Sequence, residues 1–249
     1  MLLMPHQRRT SLKLTFVCCL AALASPSACG DETSETPMLS DQLEAYAAES
    51  AARLPAAMRD KFAQGIAEVE ASGIVASARQ VGDKMADATL EAPDGAKVTL
   101  SSLWAEKPLV ISFYRGGWCP YCNLQLRALD QSLTDLGDAG ATLVAITPEL
   151  PEKVRETAAK NDLSLRVLTD RSNSLAREIG IAFRLPDPIL PIYKERLGIA
   201  EYNGDERYEL PLAATYIVDT TGTIRYAFLD ADYKKRAEPA KIIEAVKQL

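Results

Sequence analysis

The chain of 249 residues contains one histidine, His6, and five cysteines. His6 stands in a segment that reads as a removable leader, so the processed protein has no histidine. This excludes a Ser-His-Asp triad, a Cys-His dyad and any His-ligated metal. Positive charge is also short: 28 Lys and Arg face 34 Asp and Glu, a net charge of −6. No basic stripe is available to neutralise phosphates, which excludes nucleic acid as a partner. Cysteine is scarce where a core would form. Cys18, Cys19 and Cys29 lie near the start, leaving only Cys119 and Cys122 in the body. No internal repeat or long low-complexity tract is visible.

Residues 1–28 read as an export signal. Arg8, Arg9 and Lys13 supply a positive start, and Leu14–Ala24 is an apolar stretch too short to span a bilayer. Its removal takes three positive charges and moves the net charge from −6 to −9. Pro26-Ser27-Ala28-Cys29 resembles a bacterial lipobox, with Cys29 as the lipid attachment residue, although Pro26 stands where Leu is usual. Arg8-Arg9 also resembles a twin-arginine signal in part. The alternative is plain secretion with cleavage near Ala24 or Ala28. Each reading puts the protein outside the cytoplasm, in the periplasm or cell envelope.

Residues 29–80 form a tether and a helical arm. Asp41 and Glu44 offer an N-cap pair before Leu43, Ala47 and Leu54; after Pro55, Met58, Phe62, Ile66 and Val69 recur at helical spacing, and Gly73 is the expected C-cap. From residue 81 the pattern turns α/β. Pro93-Asp94-Gly95 marks a hairpin, and Leu109 to Tyr114 reads as a buried central strand. One helix then carries Leu126, Leu129, Leu133 and Leu136 and ends at Gly137. Strands at 141–147 and 165–169 alternate with helices at 152–160 and 172–179. A proline-rich insertion, 181–211, precedes two strands joined by a Thr-Thr-Gly-Thr hairpin, and Pro239 opens the last helix. This order predicts a single α/β domain over 81–249 with a mixed central sheet.

The chemistry lies at Gly116-Gly117-Trp118-Cys119-Pro120-Tyr121-Cys122. Pro120 suits the first helical position, which puts Cys119 at the N-cap and Cys122 in the first turn. Unpaired N–H groups and the helix dipole favour a thiolate there, and such settings lower a thiol from about 8.5 to roughly 3.5–7.5. A redox pair is therefore expected. Three other readings stand beside it. A structural disulfide closing so short a loop would add only about 2 kcal/mol, against roughly 4–5 for a long one. Half a zinc site has no further Cys or His to complete it, so no metal is expected. Two inert core cysteines stay open, because Cys122 shares a face with Leu126 and Leu129.

Phe113 through Cys122 resembles a peroxiredoxin-like branch of the alkyl hydroperoxide reductase/thiol-specific antioxidant family, and the Cys-Pro-Tyr-Cys stretch resembles glutaredoxins. Val81-Gly82-Asp83-Lys84, Tyr202-Asn203-Gly204-Asp205 and Thr215-Tyr216-Ile217-Val218-Asp219 fit as well. The resemblance implies a thioredoxin-like fold, a peroxide substrate, a thioredoxin-like reductant and no cofactor. It makes Cys122 the peroxidatic sulfur and Cys119 its resolving partner, with Arg115, Trp118, Pro120 and Thr215 in support. Three positions depart from the family. Cys119 replaces a Thr or Ser, Arg115 replaces a Pro, and Ala213 stands where an Arg is expected. Arg115 is either a substitute charge or an exposed loop residue. The insertion, with Tyr193, Tyr202 and Tyr208, is expected to border the site, either lining an apolar pocket or packing the domain. Two further functions remain: a thiol-disulfide oxidoreductase in which Cys119 is the more exposed nucleophile, and a surface-tethered interaction module with idle thiols.

Overall fold

The computed structural model describes residues 38–249. The leader, His6, Cys18, Cys19 and Cys29 lie outside the described residues. The arm is helical, with α1 (Leu39–Arg53), α2 (Ala56–Ala71) and a single turn α3 (Ile74–Ser77). Gly73 adopts φ 74° at the end of α2, the left-handed conformation for which glycine is suited. The expected start at Asp41 is displaced, since α1 begins at Leu39 without a side-chain cap of its own. The cap comes from far along the chain. The Glu238 carboxylate accepts the N–H groups of Leu39 and Ser40, each at 3.0 Å. These are first-turn amides with no partner inside the helix, and a negative charge suits that end of the dipole. Glu238→Ala should cost about 1 kcal/mol. Amide exchange should speed up in α1 while the central strands stay protected.

The chain then builds a sheet. Strands β1 (Thr89–Glu91) and β2 (Lys97–Thr99) form the expected hairpin, and a short α4 (Leu100–Trp104) follows. After β3 (Leu109–Phe113) come α5 (Pro120–Gln131) and α6 (Leu133–Asp138), then β4 (Thr142–Thr147), α7 (Pro151–Asn161), β5 (Arg166–Thr169) and α8 (Ser174–Glu178). Next are β6 (Ala182–Arg184), α9 (Ile199–Asn203), β7 (Glu209–Pro211), β8 (Thr215–Val218), β9 (Ile224–Phe228) and α10 (Pro239–Val246). The main sheet runs β2-β1-β5-β4-β3-β8-β9. β3, β4 and β5 are parallel, while β8 runs antiparallel to β3 and β9 antiparallel to β8, so the sheet is mixed as expected.

β3 lies in the middle, and every residue of it is buried. Its alternation sends Leu109, Ile111 and Phe113 to one apolar layer and Val110 to the other. The second layer also holds Leu126, Leu129, Leu136, Val246 and, from the arm, Leu39 and Leu43. Each fully buried Leu contributes roughly 2 kcal/mol. Cys119 and Cys122 belong to this layer, beneath the arm.

Two features differ from expectation. The helix carrying Leu126 to Leu136 is broken at Ser132, whose hydroxyl donates to the Ala128 carbonyl at 2.8 Å while its N–H turns to Leu129. The insertion, for which the sequence offers no element, carries two strands: β6 and β7 pair antiparallel at its two ends, and a π-type turn at Ile192–Arg196 lies between them.

Candidate active site

The loop between β3 and α5 is built by glycine. A Cβ on Gly116 would approach Trp118 Nε1 to 2.2 Å, and one on Gly117 would meet Thr157 Oγ1 at 1.8 Å. The Gly117 peptide is gripped from both sides. Its N–H donates to Glu149 Oε1, and its carbonyl accepts Asn123 Nδ2, both at 2.9 Å. Asn161 Nδ2 donates in turn to Asn123 Oδ1 at 3.1 Å. Pro120 then occupies the first turn of α5 with Cys119 as N-cap residue. This is the geometry that the spacing predicts.

Both thiols are free, and both are buried, with exposures of 2% for Cys119 and 0% for Cys122. Cys119 is therefore not an exposed nucleophile. Arg115 is no loop arginine in solvent either, being 2% exposed. Its Nη1 lies 3.9 Å from Cys119 Sγ, and its Nη2 donates to the Tyr193 hydroxyl. Its guanidinium sits 4.2 Å from the Tyr233 ring centre, with Trp118 and Tyr193 at 5.2 and 5.3 Å. A second guanidinium comes from Arg236, whose Nη2 lies 3.4 Å from Cys122 Sγ.

These surroundings split the pair. Burial pushes the Cys122 thiol up, but the adjacent Cys119 thiol, Arg236 and Arg115 outweigh it and hold Cys122 well below the ordinary thiol range. The thiol of Cys119 is driven up by Cys122 and by burial, and the two guanidiniums offset only part of this. The arrangement thus favours the thiolate on Cys122 and the proton on Cys119.

An aromatic layer closes the site. Tyr46 of α1 packs edge-on against Tyr121 with ring centres 5.0 Å apart, Tyr121 meets Tyr233 at 5.7 Å, and Phe62 of α2 meets Tyr193 at 6.4 Å. The arm covers the cysteines as well as bracing the domain. Outside this layer, a groove of about 240 Å³ runs between α1 and α2, bounded by Leu54, Phe62, Ile66, Tyr121 and Tyr233. Of the insertion tyrosines only Tyr193 reaches the motif. Tyr202 and Tyr208 face Lys153 and Lys194 instead. Thr215, opposite Ser112 on β8, is buried with its hydroxyl unpartnered, and it makes no hydrogen bond to either sulfur. Ala213 is buried as well, so no charge enters from that position.

Glu149, Tyr233 and Arg236 were not found from the sequence. Arg236 ends the run Lys234-Lys235-Arg236, which carries no local sign of burial. Glu149 is fully buried between β4 and α7. Burial raises its carboxyl to about 7 against the pull of the Gly117 N–H. Since its folded value lies above the ordinary 4.5, its contribution to stability is greatest below about 4.5 and is lost as the pH rises towards 7. The full effect is on the order of 3 kcal/mol. Glu149→Gln keeps an acceptor for Gly117 and removes the titration. Urea unfolding at pH 5 and pH 8 should show the variant gaining on the native protein at the higher pH.

Among the described residues, no cluster of three or more His, Cys, Asp or Glu could hold a metal ion. What the site can do is thiol chemistry, with a thiolate, a second thiol within reach of it and two fixed positive charges.

Comparison with known proteins matches residues 81–227 to the AhpC/TSA family. Among sequence relatives, a chloroplastic peroxiredoxin Q of Gentiana triflora is 28% identical over 156 residues, 63% of this chain. The match spans 59% of that relative's own length. Peroxiredoxin Bcp of Escherichia coli K12 is 24% identical over 152 residues, covering 61% of this chain and 86% of that protein. Among solved structures, peroxidoxin BcpB of Mycobacterium tuberculosis superposes with a TM-score of 0.54 at 18% identity, over 68% of this chain and 97% of that one. The fold is the thioredoxin-like fold of the peroxiredoxins.

Proposed function

Because this chain belongs to the AhpC/TSA family, we propose that it is a thiol-dependent peroxidase working through Cys122 and Cys119. The observation that carries the reading is the enclosed pair itself: Cys122 Sγ, fully buried at the start of α5, has the Arg236 guanidinium at 3.4 Å, and Cys119 beside it has Arg115 at 3.9 Å. The thiolate attacks the distal oxygen of a hydroperoxide. The O–O bond breaks, Cys122 becomes a sulfenic acid, and the departing alkoxide or hydroxide takes a proton to leave as alcohol or water. The Cys119 thiol then attacks the Cys122 sulfur, a disulfide closes and water leaves. A thioredoxin-like dithiol restores both thiols by exchange. The surroundings favour the thiolate on Cys122 and the proton on Cys119, which disfavours the oxidoreductase reading in which Cys119 is the more exposed nucleophile. The leader at residues 1–28 adds export, and Cys29 adds a lipid anchor to the membrane.

Trp118 packs on Arg115 and Tyr193, and so reports on the pair. Stopped-flow fluorescence of the reduced protein should change rapidly with hydrogen peroxide and slowly with a small disulfide. The opposite ranking would return the protein to disulfide exchange.

A further inference from the structure

Arg236 is almost fully buried, at 7% exposure, in the segment before α10. Its Nη1 donates to the backbone carbonyls of Tyr233 and Lys235, which fixes the guanidinium before any substrate arrives. Its Nη2 is spent on Cys122 Sγ, and its Nε–H is buried without a partner. None of the ion pairs among the described residues includes Arg236. A buried guanidinium without an anion is costly by several kcal/mol. Here the sulfur is the anion it meets. Arg115 is not a duplicate, because its fork is divided between Cys119 and Tyr193.

We propose that Arg236 is a catalytic residue, one that holds the sulfur of Cys122 as the attacking thiolate from the opposite end of the chain, where Ala213 offers no charge. The inference deepens the peroxidase reading and takes its catalytic meaning from it. The lowered range of Cys122 and the contribution of Arg236 to it agree with this geometry. The charged and titratable groups facing the sulfur are Arg236, Arg115, Cys119 and, more distantly, Glu149, Tyr114 and Tyr193.

The test uses the full chain carrying Cys18→Ser, Cys19→Ser, Cys29→Ser and Cys119→Ser, so that Cys122 alone titrates as a thiol, and follows thiolate ultraviolet absorbance against pH. Arg236→Gln should raise the midpoint by about one unit or more and slow oxidation by hydrogen peroxide at pH values below the parent midpoint, by about tenfold for each unit of the rise. The loss should close at alkaline pH, and Arg236→Lys should give an intermediate midpoint. An unchanged midpoint in folded Arg236→Gln, or a rate loss equal at every pH, would overturn the assignment. So would a larger shift from Arg115→Gln. If Arg236→Gln does not fold, Arg236→Lys decides, and a midpoint equal to that of the parent overturns the proposal. Should peroxide prove not to be a substrate, the absorbance titration still reads the hold of Arg236 on Cys122, so the two failures are told apart.

Discussion

Cys122→Ser should lose the fast reaction with hydrogen peroxide, by on the order of 10³-fold or more, because a serine hydroxyl stays protonated where the thiol does not. Cys119→Ser should keep the first oxidation. It should accumulate one sulfenic acid, trappable with dimedone, and then stall with a dithiol donor because no second sulfur is at hand. The contrast follows from the surroundings of the two sulfurs. Cys122 has a guanidinium at 3.4 Å and a neighbouring S–H, whereas Cys119 has Arg115 at 3.9 Å, shared with Tyr193. Quenched-flow with peroxide, followed by mass spectrometry of each variant, separates the roles. If Cys122→Ser keeps the fast reaction and forms stable mixed disulfides with proteins, the attacking sulfur is Cys119 and the peroxidase reading falls.

A large loss of stability is expected from Gly117→Ala. The added methyl group would overlap Thr157 Oγ1 at 1.8 Å and its Cβ at 2.8 Å. The peptide cannot retreat without giving up the Glu149 and Asn123 hydrogen bonds that hold it. Overpacking of this kind costs about 1–3 kcal/mol, and losing a buried hydrogen bond adds about 1 more. Urea unfolding should show a lower midpoint with the slope unchanged. Adding Thr157→Ala to Gly117→Ala removes the hydroxyl and one methyl of Thr157, so part of the stability should return. Failure of the second change to recover any stability would place the strain elsewhere than at Thr157. Activity should fall with stability, because the same loop carries Cys119 to the start of α5.

Where local chemistry decides the structure, the sequence was readable. The apolar run at Leu109 forms the buried β3, Pro120 opens α5, and Cys119 takes the N-cap place, each through contacts with near neighbours. The hairpin at Asp94-Gly95 is local in the same sense. What escaped is what the chain brings together from afar. Arg236 meets Cys122 across 114 positions, and Glu238 caps α1 across 199. Neither has a periodic or turn signal, since a charged residue that finds a buried partner resembles a solvated one until the fold closes. β6 and β7 were missed for a related reason: three-residue strands paired across the whole insertion have no turn of their own to announce them. The break at Ser132 shows the opposite limit, where one hydroxyl bonded to the preceding turn overrides an otherwise continuous leucine face.

Among the described residues, neither guanidinium beside the sulfurs has a carboxylate partner in an ion pair, and this should bear on the reduction potential of the site. Closing the disulfide converts the Cys122 thiolate into a neutral sulfur, so oxidation leaves Arg115 and Arg236 enclosed without the anion that balanced them. Burial opposes the Arg115 charge, but Tyr193, Cys119, Tyr233 and Cys122 around it outweigh burial and hold it charged, while the Tyr193 and Tyr233 phenols have their own acidity lowered mainly by burial. The reduced state is thus favoured electrostatically over the oxidised one. A dithiol stabilised in this way should form a more oxidising disulfide than an unassisted pair, which a redox titration against glutathione would read. In the proposed cycle, electrons would then run downhill into this site even from a weakly reducing donor, and peroxide, a far stronger oxidant than any protein disulfide, would supply the driving force to close the pair again.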